Sequence, residues 1–489
     1  MTSIDLTGKS LTIEEVSQIA DGASVTLCEA GLARMAASRA LIDAAVRDRK
    51  PVYGVTTGLG PRVVEALDEE EIASFALSAV RGRAHSVGED LSEAACRTAL
   101  GVRVNTLLIG ASGARPEMAQ HLAACLNAGL APAIRAVGTI GAADLMWGGD
   151  FGLALIGEGR MWRGGAIIAA SGALAEAGLQ PYAPGPREGL ALVSHSSPSA
   201  ALAALGVGSL TSLHAASDRA TALTLEGFRA NLGAFDPDLL ALRPQPGQNE
   251  AASRIMALID GSPLQAKGAA RRLQDPLSIR NIPQVHGAFF AALTTAREAV
   301  ETEINGASDN PGVLVERGEI ASHGGYLTPH LVVALGAAAQ ATAQMAACQA
   351  ARIGRMLAGR FTDLPNGLTG GGATGAGLGP VMKTVEALFA EISHAAAPPP
   401  IYPSFSADGL EDVACHTAVA AKSLGRIADH WRRLIAIEMI VAVQAIELRE
   451  VEVAPALRPV ITEVRKVSRL LSDDRPLGGE VERLAASLC

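Results

Sequence analysis

Aromatic residues are scarce: Phe, Trp and Tyr make up 3% of the 489 residues. A sheet-rich fold would want more aromatic and β-branched side chains, so the composition argues against one. Paired cysteines are missing too. Cys28, Cys96, Cys125, Cys348, Cys415 and Cys489 form no CxxC and show no zinc-ligand spacing. That pattern excludes a disulfide-stapled or zinc-ribbon scaffold and fits a reduced, cytoplasmic chain with free thiols and no bound metal. The net charge is −9, and no basic run or aromatic–basic interleaving occurs, so no nucleic-acid partner is expected. The opening MTSIDLTGKSLTIEEV has no apolar signal core, and its GKS is no P-loop, because Ser3 stands where the upstream glycine belongs. Ser, Gly or charge breaks each apolar run before membrane-spanning length, so a soluble protein with no membrane contact is expected.

What the chain does have is small and aliphatic residues. Hydrophobic residues reach 49% and Gly numbers 52, enough for a large core of closely packed helices. Thr12 with Glu15 forms a capping box before a short helix. After Pro283, Val285, Phe289, Leu293, Ala296, Val300 and Ile304 recur at helical steps. His330 to Met356 is Ala-rich and nearly uncharged, which predicts a helix buried on almost all sides. Leu434, Ile437, Val441 and Leu448 continue the pattern after Trp431. The expected fold is mainly α, a long-helix bundle. A smaller mixed N-terminal region, 1–200, should carry the loops and 201–489 the bundle, with only a weak boundary between them.

Loops on a rigid scaffold are where chemistry concentrates. Five stand out: VYGVTTGLG (52–60), GTIGAADL (138–145), EGLALVSHSS (188–197), QDPLSIRNIPQVHG (274–287) and the glycine-rich NGLTGGGATGAGLGP (366–380). The last lacks a strand–helix context and a phosphate-binding lysine, so backbone flexibility or close helix approach explains it better than nucleotide binding.

Taken in order, these segments resemble the histidine/phenylalanine ammonia-lyase family from about Leu6 to Leu448. The Tyr53 loop matches the family's catalytic tyrosine loop, EGLALVSHSS its EGLAL-Asn, and QDPLSIRNIPQVHG its QDPYSLRCxPQVxG. ASDNPGV (307–313) and SADGLEDV (406–413) also have counterparts. The resemblance implies an ammonia-lyase-like (fumarase/aspartase-like) fold and a homotetramer with active sites shared between subunits.

The departures carry the functional reading. Family members build an electrophilic methylidene-imidazolone (MIO) from Ala-Ser-Gly. Here the loop is one residue shorter and reads Ala142-Ala143-Asp144, so the MIO group is expected to be absent and no other cofactor is implied. Two Ala-Ser-Gly triplets, 111–113 and 170–172, lie elsewhere in the chain and are decoys. The family's site histidine falls on Arg83, with His85 close by. Its asparagine becomes Ser194, followed by His195, and its second tyrosine becomes Leu277. Tyr53, Arg280 and Glu411 keep family positions, and Lys383 adds a charge where histidine ammonia-lyases are apolar.

An ordinary amino-acid ammonium offers a base more acidic protons than the β-hydrogen, and the electrophile solves that problem. A quaternary ammonium has no N–H and leaves as a neutral amine. The chain therefore resembles the MIO-independent, ergothionase-like subgroup, which eliminates trimethylamine from ergothioneine to give thiourocanate. On that reading Tyr53, near Arg83, is the β-proton base, and Arg280 pairs with the substrate carboxylate. Glu411 accepts a ring N–H, and Lys383 stabilises charge on the ring or sulfur. Trp147, Tyr326 and Phe405 are candidates to receive trimethylammonium by cation–π contact, with Ser194 and His195 as further binding residues. The alternatives are the same elimination on hercynine or another aromatic betaine, or a non-catalytic ligand-binding homologue.

Overall fold

The computed structural model describes residues 3–58, 67, 69–370 and 375–488. Leu59 and Gly60 of the tyrosine loop, and residues 371–374 of the glycine-rich stretch, lie outside the described residues. Two compact units emerge: Met1–Gly208 with Arg297–Val333 and Pro399–Lys422, and Ser209–Ala296 with Ala334–Pro398 and Ser423–Cys489.

The first unit holds every strand among the described residues. Ser3–Leu6 pairs in parallel with Ser24–Leu27, while Val87–Asp90 pairs antiparallel with Arg135–Val137. Arg160–Arg163 is the centre of a three-stranded antiparallel sheet, with Trp162 opposite Ala131 on one side and Ile167 on the other. Gly312–Leu314 and Glu319–Ala321 form a hairpin. These strands run three or four residues, as expected where aromatic residues are few. The capping box forms as read: Glu15 N–H donates to Thr12 Oγ1 at 3.2 Å, and Thr12 N–H to Glu15 Oε2 at 2.9 Å. The second Ala-Ser-Gly triplet opens the helix Ala170–Glu176. The five described cysteines are unpaired.

Long helices dominate the rest, confirming a mainly α fold. Ile282–Ile304 buries Phe289, Leu293, Ala296, Val300 and Ile304, the stripe its periodicity gives. In Thr417–Arg449 every side chain from Leu434 to Ile446 is buried. Pro329–Leu357 departs from expectation. Val333, Ala337, Gln340 and Gln344, spaced three or four apart, form an exposed stripe in the single chain. Composition gave the apolar character, but not which surface is covered. Hydropathy needs a second correction. Glu188–Phe228 and Pro329–Leu357 are long and apolar enough to cross a membrane, although 89% and 50% of their most apolar windows are buried within the protein.

Candidate active site

The tyrosine loop follows the helix Glu29–Arg47. The Val52 carbonyl accepts from the N–H groups of Val55, Thr56 and Thr57 at 3.0–3.3 Å. Val52 N–H donates to Thr56 Oγ1 at 2.8 Å. Val52 and Val55 are buried with Ile42, Ala45 and Val313. Anchoring both neighbours this way leaves half-buried Tyr53 at the turn, beside Gly54 at φ 62°.

Arg83 follows the helix Glu69–Arg81, and its backbone touches the helix Leu145–Leu155 at Gly149. A Cβ on Gly149 would come within 2.3 Å of the Arg83 carbonyl, and one on Gly148 within 2.0 Å of the Val193 carbonyl. Glycine at both positions lets the helix after the 138–145 loop approach two other site segments. Among the described residues the Arg83 guanidinium donates one hydrogen bond, to Ala79 O at 3.3 Å. Burial pulls its pKa down, and the nearby Tyr53 and Glu411 charges oppose that shift. Burial also raises the Glu411 pKa, against the pull of Arg83. Tyr53, Arg83 and Glu411, far apart in sequence, thus share one electrostatic neighbourhood. A cleft of about 380 Å³ adjoins Arg83, lined also by Gly58, Leu67 and Ser78 among others.

The 138–145 loop is a fixed turn. Ala143 and Asp144 have φ 58° and 44°, and each left-handed residue costs about 1–2 kcal/mol. Hydrogen bonds hold them there. Ala143 N–H donates to Tyr326 O at 3.2 Å, and its carbonyl accepts from His195 N–H at 3.0 Å. Asp144 Oδ1 accepts from Thr139 Oγ1 at 2.5 Å and Oδ2 from Ser199 N–H at 2.9 Å. Burial raises the pKa of this enclosed carboxyl. Glu303, close enough to feel Asp144, is pushed up to about 7, mainly by its own burial. Forming an MIO group requires a serine hydroxyl to leave as water and a glycine amide nitrogen to close the ring. Ala143 has no hydroxyl, and Asp144 has its side chain fixed. The residues present do not fit that group.

Ser194 and His195 end the helix Glu188–Val193, which Arg115 anchors by a 2.6 Å pair to Glu188. His195 is fully buried; Nε2 donates to Leu192 O at 3.1 Å, and Nδ1 has no partner among the described residues. Burial depresses its pKa to about 3, so the ring is neutral. Trp147 is also enclosed at 0% exposure, with Lys422 Nζ 5.9 Å from its ring centroid. Tyr326 is half-buried, and Phe405 is 88% exposed. Within this chain Trp147 is closed to solvent and Phe405 open to it. Arg280 and Lys383 belong to the second unit, the first half-buried at the end of Leu277–Arg280, the second exposed in the first turn of Val381–Ala395. Among the described residues no group of three or more His, Cys, Asp or Glu side chains is arranged to hold a metal.

Sequence reasoning did not single out buried Arg187 or half-buried Glu303, which lie close to the motifs in the fold. Arg187 immediately precedes EGLAL, and Glu303 lies shortly before ASDNPGV, so proximity to a motif was the available signal.

Residues 11–466 match the family described as aromatic amino acid lyase. The chain belongs to the aromatic amino acid lyase family. It is 33% identical to histidine ammonia-lyase of Symbiobacterium thermophilum over 99% of this chain and 96% of that protein. Ergothionase from Treponema denticola, solved with desmethyl-ergothioneine sulfonic acid, superposes with a TM-score of 0.93 at 26% identity, covering 100% of this chain and 98% of that one. Histidine ammonia-lyase from Trypanosoma cruzi gives a TM-score of 0.92 at 28% identity, covering 100% and 93%. The lyase family and its fold agree with the resemblance read from the motifs, and an ergothionase stands among its structural relatives.

Proposed function

We propose that this lyase eliminates trimethylamine from ergothioneine, giving thiourocanate, without an MIO electrophile. The observation that carries the reading is the Ala142–Ala143–Asp144 turn, which offers neither serine nor glycine, in a chain that keeps Tyr53. The likeness to a solved ergothionase supports it.

In this mechanism Tyr53 Oη takes the β-proton. The C–H electron pair becomes the new Cα–Cβ double bond, the Cα–N bond breaks, and nitrogen leaves as neutral trimethylamine. Arg83 is the cation near Tyr53, and Glu411, whose negative charge Arg83 favours against burial, accepts a ring N–H. Arg280 binds the carboxylate, and Lys383 offers a donor to the ring or sulfur as charge develops there. The trimethylammonium group rests against Ala142 and Ala143, where a bulky electrophile would leave no room; Tyr326 borders that position. Tetrameric assembly with shared active sites belongs to the same reading. Its support is the exposed stripe on Pro329–Leu357 and the exposed apolar residues Ile401 (96%) and Leu410 (63%). The reading places the enzyme in the cytoplasm.

The test is to incubate purified protein with ergothioneine, hercynine and histidine separately, assaying volatile amine and acrylate absorbance. Trimethylamine with a thiourocanate band from ergothioneine alone is expected. Product from hercynine alone would change the substrate, and ammonia from histidine would overturn the reading. Binding without turnover in all three would leave a ligand-binding homologue.

A further inference from the structure

Arg187 is buried at 2% exposure, and its backbone takes φ 74°. A non-glycine residue held there implies that its surroundings over-determine it. The guanidinium is used almost completely. Nε donates to Ser112 O at 2.8 Å, Nη1 to Asn310 O at 3.3 Å and Nη2 to Pro311 O at 3.0 Å. Nη2 also lies 3.8 Å from Asp309 Oδ1. Those carbonyls belong to two segments remote from position 187 in sequence.

The second segment leads directly into Gly312–Leu314. Val313 N–H donates to Ala111 O at 2.9 Å, next to the other carbonyl Arg187 holds. The Val313 side chain packs with Val52 and Val55, the two residues that fix the Tyr53 turn. Arg187 also opens the helix that ends in Ser194. Its charge reaches Tyr53 as well: burial lowers the Arg187 pKa to about 10, while Asp309 and Tyr53 favour its cation.

We propose that Arg187 is the positioning residue for Tyr53, holding the floor on which the tyrosine turn packs and supplying it with a fixed cation in addition to Arg83. The functional side of this assignment rests on Tyr53 acting as the base; the structural side does not. A buried arginine that bonds only carbonyls and one carboxylate could serve stability alone. The difference is that stability alone would leave a folded variant's Tyr53 unchanged.

The test uses the full-length protein with fluorotyrosine in place of its four tyrosines, assigning the Tyr53 resonance by its loss in Tyr53→Phe. In Arg187→Met that resonance is expected to move while that of Tyr402 stays, and backbone hydrogen exchange across residues 52–57 should accelerate about tenfold or more. Turnover should fall about 100-fold with KM within about threefold, as for a misplaced base. Arg187→Lys keeps the cation but cannot span three carbonyls. It should recover turnover to within about tenfold of native and still show exchange at 52–57 at least about threefold faster. If the methionine variant does not fold, the lysine variant carries the test. Native exchange and a native Tyr53 resonance in either folded variant would overturn the assignment. Inactivity of the native protein towards every betaine would instead remove the base reading, leaving the resonance and exchange results to decide the structural link.

Discussion

Two arginine–glutamate groups in this chain are built in opposite ways. In the second unit Arg352 and Glu438 are each 1% exposed, joined at 2.8 Å through Nε and 3.2 Å through Nη2. Thr221 accepts from Arg352, and Thr224 donates to Glu438, so both charges are close to saturated. In the first unit Arg83 and Glu411 sense each other's charge without a salt bridge among the described residues, and each carries an opposed desolvation penalty. A buried pair must satisfy its partners internally or it destabilises the fold. A partly buried, under-bonded group beside a cleft can take its remaining partners from a ligand. The first arrangement serves the helix bundle. The second leaves a cation and a carboxylate with capacity for further partners, as the proposed substrate site requires.

That contrast can be broken by substitution. Arg352→Met should cost about 3–5 kcal/mol by chemical denaturation, and Arg352→Met with Glu438→Leu should recover most of it. Arg83→Met should lower kcat by about 100-fold while costing under about 1 kcal/mol of stability. Comparable stability losses for Arg352→Met and Arg83→Met would erase the distinction. Glu411→Gln should raise KM about tenfold, the loss of one charge-assisted hydrogen bond, with thermal stability unchanged or slightly higher.

Glu303 sharpens the comparison from the side of pH. Its carboxyl is pushed from 4.5 to about 7 in the folded chain, so the native state binds the extra proton in that window. Stability from this group is therefore present at low pH and lost as pH rises from about 4.5 through about 7. Glu303→Gln should flatten that slope and stabilise the protein at pH 8 by about 1–3 kcal/mol. An unchanged slope in denaturation curves across pH 5 to 8 would show that Glu303 does not titrate there.

Much of this is legible in the sequence. The stripe ending at Ile304 follows from helical period, and the altered loop at 142–144 is visible because MIO formation depends on three adjacent residues. Tyr53, Arg83 and Glu411 could be read from separate motifs, though only the fold places them together. Trp147 was a poor candidate for ligand contact because its burial depends on which elements cover it. The same limit applies to Pro329–Leu357, where an apolar sequence does not say whether its own chain or another copy covers the face. Arg187 stayed hidden because its contacts are to the carbonyls of Ser112, Asn310 and Pro311, and carbonyls have no sequence signature.

The most direct measurement is trimethylamine release from ergothioneine deuterated at the β-carbon, compared for the native protein and Tyr53→Phe. The account predicts release slowed by deuterium in the native protein, about 100- to 10,000-fold loss in the variant, and ligand affinity kept within about threefold. Undiminished trimethylamine release by Tyr53→Phe would contradict it.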